Sequence, residues 1–107
     1  MAPTTDERLR AAISLCRKAG RLRCGGDVVR QAAASGQADL VLLSADVAGR
    51  SARQTQAACQ AGGVPLRQLP LTMEQLSQVT GKTYGILAVC DQGFAAMIQK
   101  LLQENPT

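Results

Sequence analysis

The residues with most chemistry to offer stand in one stretch, Arg21-Leu22-Arg23-Cys24-Gly25-Gly26-Asp27-Val28-Val29-Arg30-Gln31. A glycine pair before an amphipathic helical pattern lets a partner approach the backbone closely. The helix start behind it turns free N–H groups and a positive dipole end toward that partner. Arginines flank the turn, and their planar forks pair with phosphate bidentately. The chemistry implied is anion binding, and in a basic chain the expected anion is a nucleic-acid phosphate. Arg21, Arg23, Gly25, Gly26, Asp27, Arg30 and Gln31 are therefore candidate contacts. Lys82-Thr83-Tyr84 adds a charge, a hydroxyl and the only Tyr of the chain. It gains weight if the fold sets it beside Gly25-Gly26, since loops at the same strand ends of a sheet cluster.

Catalytic chemistry finds little support. The chain has no His, so a general base could only be a carboxylate, Lys or Tyr. Asp27, Asp46 and Asp91 each stand where a helix begins and read as caps. Gly81-Lys82-Thr83 resembles the end of a P-loop, but Leu76 occupies the required Gly position and an apolar strand follows. Gly25-Gly26 lacks the remaining glycines of a dinucleotide fingerprint. Cys16, Cys24, Cys59 and Cys90 include no CxxC pair, and each lies in or beside an apolar pattern. They read as small buried hydrophobes rather than zinc ligands. No enzyme activity, metal or cofactor is expected.

At 107 residues the chain is one domain with room for a single core. Hydrophobic residues make up 46% and charged residues 19%, a globular balance. The net charge is +4, and the first third carries the surplus: Arg8, Arg10, Arg17, Lys18, Arg21, Arg23 and Arg30 face only Asp6, Glu7 and Asp27. One Phe, one Tyr and no Trp leave no aromatic platform for stacking bases. No signal peptide or membrane-length apolar run is present, so a reducing cytoplasm is expected and a membrane partner is not.

Positioning these residues requires alternating elements. Leu9, Ala12, Ile13, Cys16 and Ala19 follow helical spacing, with Arg10, Ser14, Arg17, Lys18 and Arg21 as a basic stripe opposite. A short strand over Arg21 to Cys24 precedes a helix from near Asp27 to Gly36. Leu40 to Leu43 is a strand covered on both faces, followed by a helix from about Ser51 to Ala61 ended by Gly62-Gly63. Val64 to Arg67 is a strand whose Pro suggests an edge. Thr72-Met73-Glu74-Gln75 opens a capping-box helix ending at Gly81. Ile86 to Val89 is the last strand, and Asp91 caps a helix bearing Phe94, Ile98 and Leu101. The ends, 1–5 and 104–107, read as frayed. The expected fold is α/β: a single-domain three-layer α/β/α sandwich with a small mixed, largely parallel sheet.

The order and spacing of these motifs resemble a known family. Gly25-x-x-x-Val29-x-x-Ala32, Ser35-Gly36-x-Ala38-x-Leu40-Val41-Leu42-Leu43-x-Ala45-Asp46, the Val64-Pro65 strand and Asp91-x-Gly93-Phe94-Ala95 resemble the L7Ae ribosomal proteins over roughly residues 7–102. Leu15-Cys16-Arg17-Lys18-Ala19-Gly20-Arg21-Leu22 is most similar to the short bacterial members of the YlxQ type. The resemblance implies the same sandwich and a non-enzymatic protein that binds structured RNA, ribosomal or other non-coding. Many members bind kink-turn RNA, a sharply bent duplex with an internal bulge. Carried over, the contacts are Gly25 to Gln31 and Lys82 to Tyr84, with Ala45-Asp46-Val47 on the same side. Strong kink-turn readers place Asn, Glu and a basic residue where this chain has Asp27, Val28 and Gln31. Shape and phosphate contacts through backbone N–H groups, Arg21, Arg23 and Arg30 are therefore expected to outweigh base readout. The alternative is a protein-interaction module on the same fold that has lost RNA binding. Ribosome components are candidate partners, and the chain is expected to be a monomer.

Overall fold

In the computed structural model, which describes residues 4–103, helices and strands alternate. They are α1 (Thr5–Lys18), β1 (Leu22–Cys24), α2 (Gly26–Ala34), β2 (Leu40–Leu43), α3 (Gly49–Gly62), β3 (Leu66–Gln68), α4 (Met73–Thr80), β4 (Ile86–Val89) and α5 (Gln92–Gln103). Residues 1–3 and 104–107, expected to be frayed, lie outside the described residues. Thr5 is the first residue of α1 and Thr4 its N-cap, so neither belongs to a frayed end. The Thr4 hydroxyl accepts the Glu7 N–H at 3.1 Å and caps the helix.

The four strands form one sheet in the order β1-β4-β2-β3. It is mixed, as expected, but not largely parallel. Only β2 and β3 pair parallel; β4 is antiparallel to both β1 and β2. The reason lies in the connection from β3 to β4. Leaving β3, the chain bonds to the end of β2, with Ala45 N–H donating to Leu71 O at 2.7 Å. After the eight-residue α4 it returns to that same end, where Ser44 N–H donates to Gly85 O at 2.9 Å. The connection passes over β2 without travelling to the opposite end of the strands, so β4 must run back antiparallel.

Both sheet faces are covered. Leu40 and Leu42 of β2 and Leu87 and Val89 of β4 pack with Leu9 and Ile13 of α1, Leu76 of α4 and Ile98 of α5. Val41, Leu43, Ile86 and Ala88 face the other way, against Val29 and Ala33 of α2 and Cys59 of α3. This period-2 alternation with both sides apolar is what a continuous run such as Leu40 to Leu43 encodes. β3 is an edge strand, consistent with Pro65 just before it.

On the second face α2 and α3 lie side by side in the same direction. Their C-terminal ends meet where Gly62 packs on the backbone of Ala33; a Cβ at Gly62 would lie 1.7 Å from Ala33 O. Their N-terminal ends meet at the other end of the strands, beside the loop before β4.

Candidate nucleic-acid interface

The turn into α2 is built on Gly25. Its φ of 100° and ψ of 143° lie where an L side chain is strained. Its N–H donates to Ile86 O at 3.0 Å, tying the turn to the first residue of β4. Its carbonyl accepts the Val29 N–H at 3.0 Å, the first bond of α2. No side chain caps this helix, so the N–H groups of its first turn, at Gly26, Asp27 and Val28, keep no intrahelical acceptor.

Arg30 folds back over that helix start. A Cβ at Gly26 would lie 2.8 Å from Arg30 Nη1, so glycine is what admits the guanidinium there. Arg30 Nη2 donates to Asp27 Oδ1 at 2.8 Å, with the Arg30 side chain 26% exposed and that of Asp27 100% exposed. An ion pair so open to water adds little stability; its effect is to hold the guanidinium across the N-terminus. Asp27 therefore pairs with Arg30 and is not the cap expected from its position.

A second uncapped helix start lies beside the first. The N-cap of α3 is Ala48, without a side-chain bond, and its first turn holds no acidic residue. Val47, Ala48 and Ser51 line the same concavity as Gly25, Gly26 and Arg30, a hollow of about 300 Å³. Two positive helix ends thus converge on one recess. α4, starting nearby, is closed instead: Thr72 and Gln75 form a capping box, and Asp46 Oδ1 accepts the Met73 N–H at 2.9 Å. That N–H bond holds the Asp46 carboxyl below its usual range. Asp46 thus caps α4, not the helix that follows it. Asp91 caps α5 as its position suggests, accepting the Phe94 N–H at 2.8 Å.

The loop 82–84 completes the rim. Thr80 Oγ1 donates to Lys82 O at 2.7 Å, and Arg17 Nη1 donates to Val79 O at 3.2 Å. Thr83 and Tyr84 line the concavity. The Tyr84 ring lies over Gly25, and its other side packs on the α1 core. Lys82 is exposed at the loop but does not line the hollow.

The structure brings Gly25, Gly26, Arg30, Thr83 and Tyr84 together, with Asp27 at their edge. It does not gather the three arginines. Leu22 and Cys24 pack toward α1, so Arg23 faces the opposite side of β1. It lines a separate groove of about 270 Å³ on the outer side of α2, with Val28 and Gln31. Arg21 precedes β1 at the far end of the strand, its carbonyl accepting the Cys90 N–H at 2.8 Å. The strand length separates what the sequence lists almost side by side.

Cys24, just before the turn, is half-buried, and burial raises its thiol pKa while the nearby Arg17 guanidinium opposes the rise. Burial pushes the Cys16 thiol up to about 11 and also raises Cys59. No group of three or more His, Cys, Asp or Glu side chains suited to a metal ion occurs among the described residues.

The sequence model of the ribosomal protein L7Ae/L30e/S12e/Gadd45 family matches residues 7–98. The chain belongs to this family. No curated protein is significantly similar to it in sequence. Among solved structures, a protein of unknown function from Bacillus halodurans superposes with a TM-score of 0.83 at 24% identity, covering 90% of this chain and 97% of the other. The Giardia lamblia 15.5kD RNA binding protein superposes with a TM-score of 0.72 at 14% identity, covering 97% and 89%. The L7Ae-type fold is thus shared. Within this L7Ae-family chain, Ala48, Ser51, Met73, Gly85 and Ile86 are lining residues that sequence reasoning passed over. A signal was available for Ser51 alone, as a hydroxyl in the first turn of a helix beginning at a predicted strand end.

Proposed function

We propose that this L7Ae-family protein binds structured RNA, ribosomal or other non-coding, and acts without enzymatic turnover. The observation that carries the reading is the convergence of two uncapped helix starts, Arg30 and the Thr83-Tyr84 rim on one concavity. Free N–H groups and a guanidinium favour phosphate oxygens, and an aromatic edge accepts a sugar or base. Family membership and the likeness to an RNA-binding protein support the same reading. Val28, 47% exposed, offers no hydrogen bond to a base edge. Recognition therefore rests on backbone shape and phosphate contacts more than on base readout.

The test is direct titration with a kink-turn hairpin, a plain duplex and a single strand at two salt concentrations. Binding of the bent RNA with an affinity that falls as salt rises is expected. The exposed Val28 beside Arg23 favours the second reading, a protein-interaction module on the same fold. Absence of binding to all three RNAs near physiological salt would decide for it.

A further inference from the structure

Arg17 belongs by sequence to the basic stripe of α1, yet its guanidinium is engaged far along the chain. Nη1 donates to Val79 O, and Nη2 lies 3.7 Å from where a Cβ at Gly81 would stand. Val79 lies in the last turn of α4 and Gly81 is its C-cap. The last carbonyls of a helix lack intrahelical donors and carry the negative dipole end. α4 has no basic residue in its own last turn, so Arg17 supplies from α1 the cation that end lacks. Immediately beyond lies the 82–84 loop. The far end of that loop is already fixed, by Ser44 N–H on Gly85 O and Gly25 N–H on Ile86 O.

We infer that Arg17 is a positioning residue for the 82–84 rim: by holding the C-terminal end of α4 it sets Thr83 and Tyr84 against Gly25. This rests on the RNA-binding reading above. Without Arg17 the loop samples more conformations and must be ordered on binding, which weakens affinity.

Tyr84 is the only Tyr and the chain has no Trp, so tyrosine fluorescence reports on this loop alone. In the RNA-free full chain, Arg17→Ala lowers Tyr84 anisotropy and raises its quenching by acrylamide, while Arg17→Lys recovers most of the change. Against the kink-turn hairpin, Arg17→Ala weakens binding by about three- to tenfold. The slope of affinity against salt stays unchanged, because no phosphate contact is lost. Circular dichroism confirms that the variant is folded; if Arg17→Ala melts too low, Arg17→Met, which keeps the apolar stem and removes both the charge and the N–H donors, replaces it. Unchanged Tyr84 fluorescence overturns the inference. So does a shallower salt slope with unchanged fluorescence, which would make Arg17 a direct RNA contact. A wild-type chain that binds no RNA overturns the RNA reading alone, and the fluorescence still decides whether Arg17 sets the loop.

Discussion

The Tyr84 ring closes over Gly25 so that a Cβ built on the glycine would lie 3.6 Å from Cε1, an ordinary van der Waals distance. Space is therefore not what requires glycine at this position; the backbone is. With φ at 100°, Gly25→Ala is expected to cost about 1–3 kcal/mol in urea denaturation. Gly26→Ala meets only the mobile end of Arg30, so its stability should stay within about 0.5 kcal/mol. RNA affinity should nonetheless fall, because Arg30 is displaced from the helix start. Equal stability losses at the two glycines would contradict this division.

Gly62 and Gly63 divide in the opposite sense. A methyl group at Gly62 runs into the Ala33 carbonyl, a backbone atom that cannot step aside without parting α2 from α3. Gly62→Ala should cost about 3 kcal/mol or more. Gly63 has open space around its missing Cβ but a φ of 69°, so Gly63→Ala should cost about 1–2 kcal/mol. Thermal melts of the two variants rank them.

Asp46 should give the fold an acid-sensitive joint. Its bond to the Met73 N–H holds the carboxyl below the usual range, so the native state favours the ionised form. That contribution is complete above the unfolded carboxylate pKa and is lost as pH falls through the depressed native one. Asp46→Asn keeps an acceptor and loses the charge. The gap in melting temperature between wild type and Asp46→Asn should be open at neutral pH and close toward acid. A gap independent of pH would argue that the charge is irrelevant.

Arg30 and Arg21 should separate cleanly in RNA titrations. Arg30 faces the concavity, whereas Arg21 sits at the far end of β1. Arg30→Ala should weaken binding and lower the salt slope by about 1, the signature of one lost phosphate contact. Arg21→Ala should change both far less. Equal losses would extend the interface to the far end of β1.

The sequence told the fold well wherever a local rule sufficed. Thr72 and Gln75 announce the start of α4, Asp91 the start of α5, and the run Leu40 to Leu43 a strand buried on both sides. The direction of β4 was hidden, because a short helix returning to the strand end it left looks locally like one that runs back to the opposite end. Gly62 was hidden too: next to Gly63 it reads as part of a helix stop, while its role is set by the carbonyl of Ala33 on another helix. At the candidate site, nearness in sequence misled for Arg21 and Arg23, which strand geometry sends away from Arg30. The pairing of residues 25–26 with 83–84 was anticipated from strand ends, but Met73 arrives through the third dimension alone.

The position of β4 has a consequence for the making of the protein. The strand synthesised last is the one that joins β1 to β2 at the middle of the sheet. On a ribosome, the growing chain has both neighbours long before it has the piece that unites them, and long-range pairings of this kind form slowly. The Gly25 N–H waits for the carbonyl of Ile86, so the glycine turn acquires its shape only after some sixty further residues have been added. A nascent chain that has not yet reached Ile86 cannot hold this turn in shape for any partner.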